Sequence, residues 1–181
     1  VAEITALARR SPDINQRSGV SVRVSISNYE TVISNAIRRS IRLKENLASP
    51  RISDLPFLVS SFRGKIELET FEEGREGRVL EELTKKAVFN VFGRYFSARE
   101  LEPLVQHFEQ GLVIDVGSDL PAQHYVNSIK GLDVFPEAIK RVGADESPET
   151  IASAVEFILE GLHLNRRLNR DRVDSGFRYR G

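Results

Sequence analysis

The chain of 181 residues has no cysteine, which excludes disulfides and thiolate metal sites. It has no methionine. Because Val1-Ala2-Glu3-Ile4 already reads as the interior of a helix, an excised piece of a longer protein is the expectation. No apolar run approaches the roughly 18 residues of a membrane span, and no signal peptide is apparent. Membrane attachment is therefore not expected, and a reducing, cytoplasmic setting is. Lys and Arg total 26 against 26 Asp and Glu, a formal net charge of zero. Bulk charge thus argues neither for nucleic acid nor for an anionic membrane. A phosphate-cradling loop is also lacking. The one Gly-Lys pair, Gly64-Lys65, is followed by Ile66 instead of Ser or Thr, and Val59 stands where the pattern needs a glycine.

What is present reads as mainly α-helical. Ile4, Leu7 and Ala8 mark a short helix that stops at Ser11-Pro12. Over 25–44 the set Ile26, Tyr29, Ile33, Ala36, Ile37 and Ile41 forms a stripe of the kind that ordinarily faces a core. Arg38, Arg39, Arg42 and Lys44 crowd the last two turns, where cations suit a helix C-terminus. Ser53 or Asp54 is expected to cap the next helix, with Pro56 in its first turn. The charged, glycine-containing stretch 71–78 reads as a flexible link. A strong helix follows over about 76–95, carrying Val79, Leu80, Leu83, Ala87, Val88, Val91, Phe92 and Tyr95.

Ser97 and Glu100 form a capping box for a helix through Phe108, closed by Gly111. Leu112-Val113-Ile114-Asp115-Val116-Gly117 is the one convincing non-helical apolar run, either a buried extended segment or a small strand. Two short helices follow, one around Tyr125 and one over 135–142. Ser147-Pro148 opens the last helix with an N-cap and a proline at its first position. The break near 69–77 divides the chain into 1–70 and 71–181, with at most one short β element in all.

Several groups carry chemistry in principle. The segment Gln16-Arg17-Ser18-Gly19-Val20-Ser21-Val22-Arg23 is a glycine-marked turn leading into the amphipathic helix. His107, His124 and His163 have no histidine or carboxylate at ligand spacing, so no zinc site is expected. Glu67, Glu69, Glu72 and Glu73 read as a solvated charged surface. Phe89, Phe92, Tyr95 and Phe96 read as core, with Phe89 at the stripe's edge and suited to a neighbouring helix or subunit. From 163 to 181 there are six arginines and two aspartates, with Phe177 and Tyr179 interleaved. That composition suits a nucleic-acid tail, a helix end docked on an acidic neighbour, or a solvated terminus.

Gly19-Val20-Ser21-Val22-Arg23 matches the Gly-x-Ser-x-Arg pattern of the lid helix in AAA+ ATPases of the MoxR and magnesium-chelatase I-subunit type. The run from Arg17 to Arg42 resembles the C-terminal region of those proteins. So do Pro50-Arg51-Ile52-Ser53-Asp54-Leu55, Gly64-Lys65-Ile66-Glu67-Leu68-Glu69 and Ser153-Ala154-Val155-Glu156-Phe157-Ile158-Leu159-Glu160-Gly161-Leu162. The resemblance implies an AAA+ lid-like helical subdomain over 1–70 and a helical extension with an arginine-rich tail over 71–181. It implies a parent that hydrolyses ATP with Mg²⁺ and assembles into a homo-oligomeric ring. The ATPase core would precede this piece, which would hold no cofactor tightly and be inactive alone. Arg23 would touch the γ-phosphate, an arginine being suited to charge-assisted bidentate contact, with Arg17 as a second candidate. The extension would contact subunits or a client protein. A free-standing helical interaction module is the alternative, and a nucleic-acid binder is a weaker one.

Overall fold

The computed structural model describes residues 1–15, 17, 19–69, 75–97, 99–174 and 176–181. The chain begins with α1 (Ala2–Ala8) and the long α2 (Val22–Leu43). Ser21 caps α2, its Oγ accepting the Arg23 N–H at 3.1 Å. The helix ends at Lys44, which turns into the left-handed region at φ 56°. The expected helix at 53–62 is instead a 3-10 helix (Ile52–Phe57) running into the short α3 (Leu58–Phe62). Asp54 caps its start, accepting the Arg51 N–H at 2.8 Å. Pro56 cannot donate a backbone bond, which suits the tighter winding.

Helix α4 (Arg75–Tyr95) follows as expected. Of the link expected at 71–78, residues 70–74 lie outside the described ones, and 75–78 form the first turn of α4. Glu100 does accept the Ser97 N–H at 2.7 Å. The helix α5 (Glu102–Glu109), however, begins after Leu101, with Pro103 in its first turn. Then come α6 (Ala122–Ser128), α7 (Val134–Arg141) and α8 (Pro148–Leu164). Helix α8 starts as anticipated, with Pro148 at its first position and Ser147 Oγ accepting from Thr150 N.

The β content exceeds the expectation of at most one short element. Strands β1 (Ile114–Val116), β2 (Asn169–Val173) and β3 (Gly176–Arg180) form an antiparallel sheet in the order β1-β3-β2. The arginine-rich tail is therefore a hairpin. Phe177-Arg178-Tyr179-Arg180 alternates with period two, so that Tyr179 is buried while the arginines face outward. Arg178 bonds Asp115 directly opposite it, at 2.7 and 2.9 Å, and Arg180 bonds Asp171 at 2.6 Å. Such cross-strand pairs hold register. Gly176 is required by close approach, because a Cβ there would lie 1.9 Å from the Val116 carbonyl oxygen.

Two apolar cores result. Ile4, Ala8, Ile14, Val24, Val32, Leu58, Phe62 and Ile66 pack with Val79 to Ala87 of α4. The second core gathers Phe92, Phe96, Leu104, Phe108, Tyr125, Phe135, the inner face of α8 and Tyr179. Helix α4 serves both, the first with its N-terminal half and the second with its C-terminal end. The expected boundary at 70/71 falls on residues outside the described ones, whereas the cores change over inside α4. Phe92 and Phe96 are buried as expected, but Tyr95 and Phe89 are exposed.

Candidate functional site

Arg23 lies in the first turn of α2, and Arg17 lies in the loop that leads to it. The base of that loop is fixed. Ile14 and Leu68 form an antiparallel bridge, Asn15 N–H donates to the Glu67 carbonyl at 2.8 Å, and Glu69 N–H donates to Asp13 O at 3.0 Å. Arg75 pairs with Asp13 at 2.9 Å. Asn15 Oδ1 then accepts the Arg17 N–H at 2.9 Å, an Asx turn. Gly19 takes φ +67°, a conformation that a β-carbon disfavours. Arg9 Nε donates to the Val20 carbonyl at 3.2 Å and ties α1 to the same loop.

Both candidate arginines are exposed, and among the described residues neither guanidinium has a partner. They flank one loop without bonding each other. The first turn of α2 contains no acidic residue, so its positive dipole end is left without an internal counter-charge. A positive helix start with nearby arginines suits an anionic oxygen group such as a phosphate. The fit to ATP with Mg²⁺ stops there. Among the described residues no three His, Asp or Glu side chains gather as metal ligands do. A nucleotide's β-phosphate and its metal would need groups from elsewhere. The histidines act locally: His124 Nε2 lies 3.3 Å from Asp115 O, and His163 Nδ1 lies 3.1 Å from Leu168 O. No helix among the described residues is long and apolar enough to cross a membrane.

A buried ionic hub escaped the sequence reading. Arg39, one of the cations expected to suit the C-terminal turns of α2, is buried and grips Asp54 with Nη1 at 2.5 and 2.6 Å. Its other terminal nitrogen donates to Ser49 O. Arg51 donates to Glu45 Oε1 at 2.7 Å and to Leu120 O at 2.8 Å, and its guanidinium lies 4.9 Å from the Tyr125 ring centroid. Tyr125 OH donates to Glu156 Oε1, and Ser53 N–H donates to Glu156 Oε2 at 2.7 Å. Glu149 accepts from Asn46 N–H at 3.0 Å.

Burial pushes the Glu156 carboxyl above its usual range, against the hydrogen bonds from Tyr125 and Ser53 and the charge of Arg51. Burial and the adjacent Glu156 charge likewise push the Tyr125 phenol up. These groups join α2 and the 3-10 helix to α6 and α8, across the seam between the cores. A sequence signal was the pair of carboxylates Glu156 and Glu160 inside the mostly apolar run 151–162 of α8. Glu160 is likewise bound, by Arg170 at 2.7 Å and Tyr179 OH at 2.6 Å.

An open, mostly apolar cleft of about 290 Å³ lies beside the seam, lined by Ile4, Val32, Leu55, Val88 and Phe157 among others. Two polar side chains on its wall are already engaged, Glu3 by Asn90 and Arg94 and Ser153 by the Pro50 carbonyl. Comparison with models of protein families, with curated proteins and with solved structures finds no match.

Proposed function

We propose that this chain is the lid and helical extension of a MoxR or magnesium-chelatase-like AAA+ ATPase, in which Arg23 contacts the γ-phosphate of ATP held mainly by a preceding core. The observation that carries the reading is Arg23 itself: an exposed guanidinium without a partner among the described residues, in the first turn of a capped 22-residue helix, behind a loop whose base is pinned. Loss of the γ-phosphate would remove the contact and let the lid move, the usual way a phosphate-held segment switches. Arg17 would serve as a second, weaker phosphate contact from the same loop. Ring assembly, Mg²⁺ on the core and a cytoplasmic client belong to the same proposal.

The test begins with the gene upstream of Val1 and continues with ATP turnover by the full product. A phosphate loop upstream is expected, and Arg23→Ala should lower turnover roughly a hundredfold, the scale of losing one charge-stabilising donor. Arg23→Lys should recover only part, since it cannot bind bidentately. Unchanged turnover in Arg23→Ala, or a gene with no phosphate loop, overturns the reading. A helical interaction module is the second reading, favoured by the exposed apolar face of α2. The nucleic-acid reading loses its main support, because Arg167, Arg170, Arg178 and Arg180 are engaged with Glu102, Glu160, Asp115 and Asp171.

A further inference from the structure

Helix α2 buries Val24, Val32 and Ala36 together with polar side chains, and leaves an apolar stripe outside. Asn28, Arg39 and Ser40 are buried, while Val22, Ile26, Tyr29, Ile37 and Ile41 are exposed, up to 73% for Ile41. The inward face cannot be exchanged for the outward one. Asn28 accepts from Ser61 Oγ, Arg39 holds Asp54, and Ser40 donates to Ile37 O at 2.8 Å. The outward stripe from Val22 to Ile41 rises about 28 Å along the helix. A continuous apolar row of that length marks an interface. Tyr29, Ile33, Ile37 and Ile41 form a single i+4 ridge.

The charges beside the ridge say which helix fits. Glu30 is exposed and has no partner among the described residues. Arg38 is exposed, bonded to Asn35 at 2.7 Å and lying over the Phe57 ring. Both fall on the same edge of the stripe, eight residues apart and equidistant from Ser34. Laid antiparallel on a two-fold axis at Ser34, two copies of α2 set Glu30 of each beside Arg38 of the other. Ile33 and Ile37 then meet at the axis, and Tyr29 and Ile26 meet the far copy's Ile41. A parallel two-fold pair would instead put these edges on opposite sides of the interface, where Glu30 and Arg38 find no partner in each other. The stripe is complementary to itself in one orientation, as an isologous interface must be.

We infer that the exposed face of α2 is the docking surface for a second copy of this chain, paired antiparallel about Ser34. The inference is independent of the nucleotide reading, and Arg23 stays at the rim of the interface. Sedimentation of the 181-residue chain over a concentration series tests it. A monomer–dimer equilibrium is expected. Ile37→Asp, at an exposed position, should give a monomer with unchanged circular dichroism. Glu30→Arg should raise the dissociation constant about tenfold, since it sets two like-charge pairs across the axis. The double variant Glu30→Arg with Arg38→Glu should restore it to within about threefold. A monomer at every concentration, with the stripe left for a different protein, overturns the inference. So does a dimer that Ile37→Asp leaves intact, or charge reversals that do not compensate.

Discussion

Glu156 holds a carboxylate in the interior of α8, bonded by Tyr125, Ser53 N–H and Ser53 Oγ. Its pKa in the folded chain lies above the ordinary 4.5 because burial disfavours the charged form. A carboxyl raised on folding binds its proton more tightly in the native state. Its contribution is therefore complete below pH 4.5 and is lost as pH rises through the folded value. Gln at this position stays neutral and keeps an acceptor for the same donors. Urea midpoints measured from about pH 4.5 to about pH 7 should decline for the native chain and stay flatter for Glu156→Gln. Parallel profiles for the two proteins would rule out Glu156 as the source. Arg39 and Arg51 give the matching lesson about legibility. An arginine near a helix end and one after a proline carry no local sign of burial, and only the fold shows Asp54 and Glu45 brought to meet them.

Most of the helices were legible because they answer to short-range rules. Ser147-Pro148 opens α8, and the apolar period marks α4 to within a residue. The hairpin was not, although Phe177-Arg178-Tyr179-Arg180 alternates as a strand should. Its partner β1 lies some sixty residues away, and the arginine count drew attention from the period. Helix α2 misled in a different way. Its stripe has the right period, yet Val24, Val32 and Ala36 pack inward with Asn28 and Arg39, which Ser61 and Asp54 partner, so most of the stripe stays exposed. The site was legible only as far as Arg17 and Arg23, since the pinning of their loop by residues 67–69 is a tertiary fact. Contact between elements also sets a limit on substitution. At Gly161 of α8 a Cβ would fall 1.9 Å from the Phe92 ring of α4. Gly161→Ala should cost about 1–3 kcal/mol by overpacking, read as a lower urea midpoint. The gain in helix propensity offsets only part. An unchanged midpoint would mean that Phe92 moves aside freely.

The two apolar cores share one helix and one polar seam, so the molecule's cooperativity passes through the hub. Removing one member leaves an uncompensated charge in the interior. Asp54→Ala strands the buried Arg39 guanidinium and should cost about 3–5 kcal/mol. Because the 3-10 helix then loses its hold at both Arg39 and the Arg51 N–H, unfolding should broaden, with the first core melting ahead of the second. Circular dichroism together with hydrogen exchange would resolve the order, and a single sharp transition at the original midpoint would show the hub to be dispensable.

The sheet order β1-β3-β2 also dictates when the second core can be finished during synthesis. The central strand is the last one made, and Tyr179 on it plugs the interior over Glu160. A ribosome releases the chain from its N-terminal end, so α4 to α8 emerge with their common interior still uncovered. That half of the molecule must wait, open to chaperones, until residues 176–181 have left the exit tunnel.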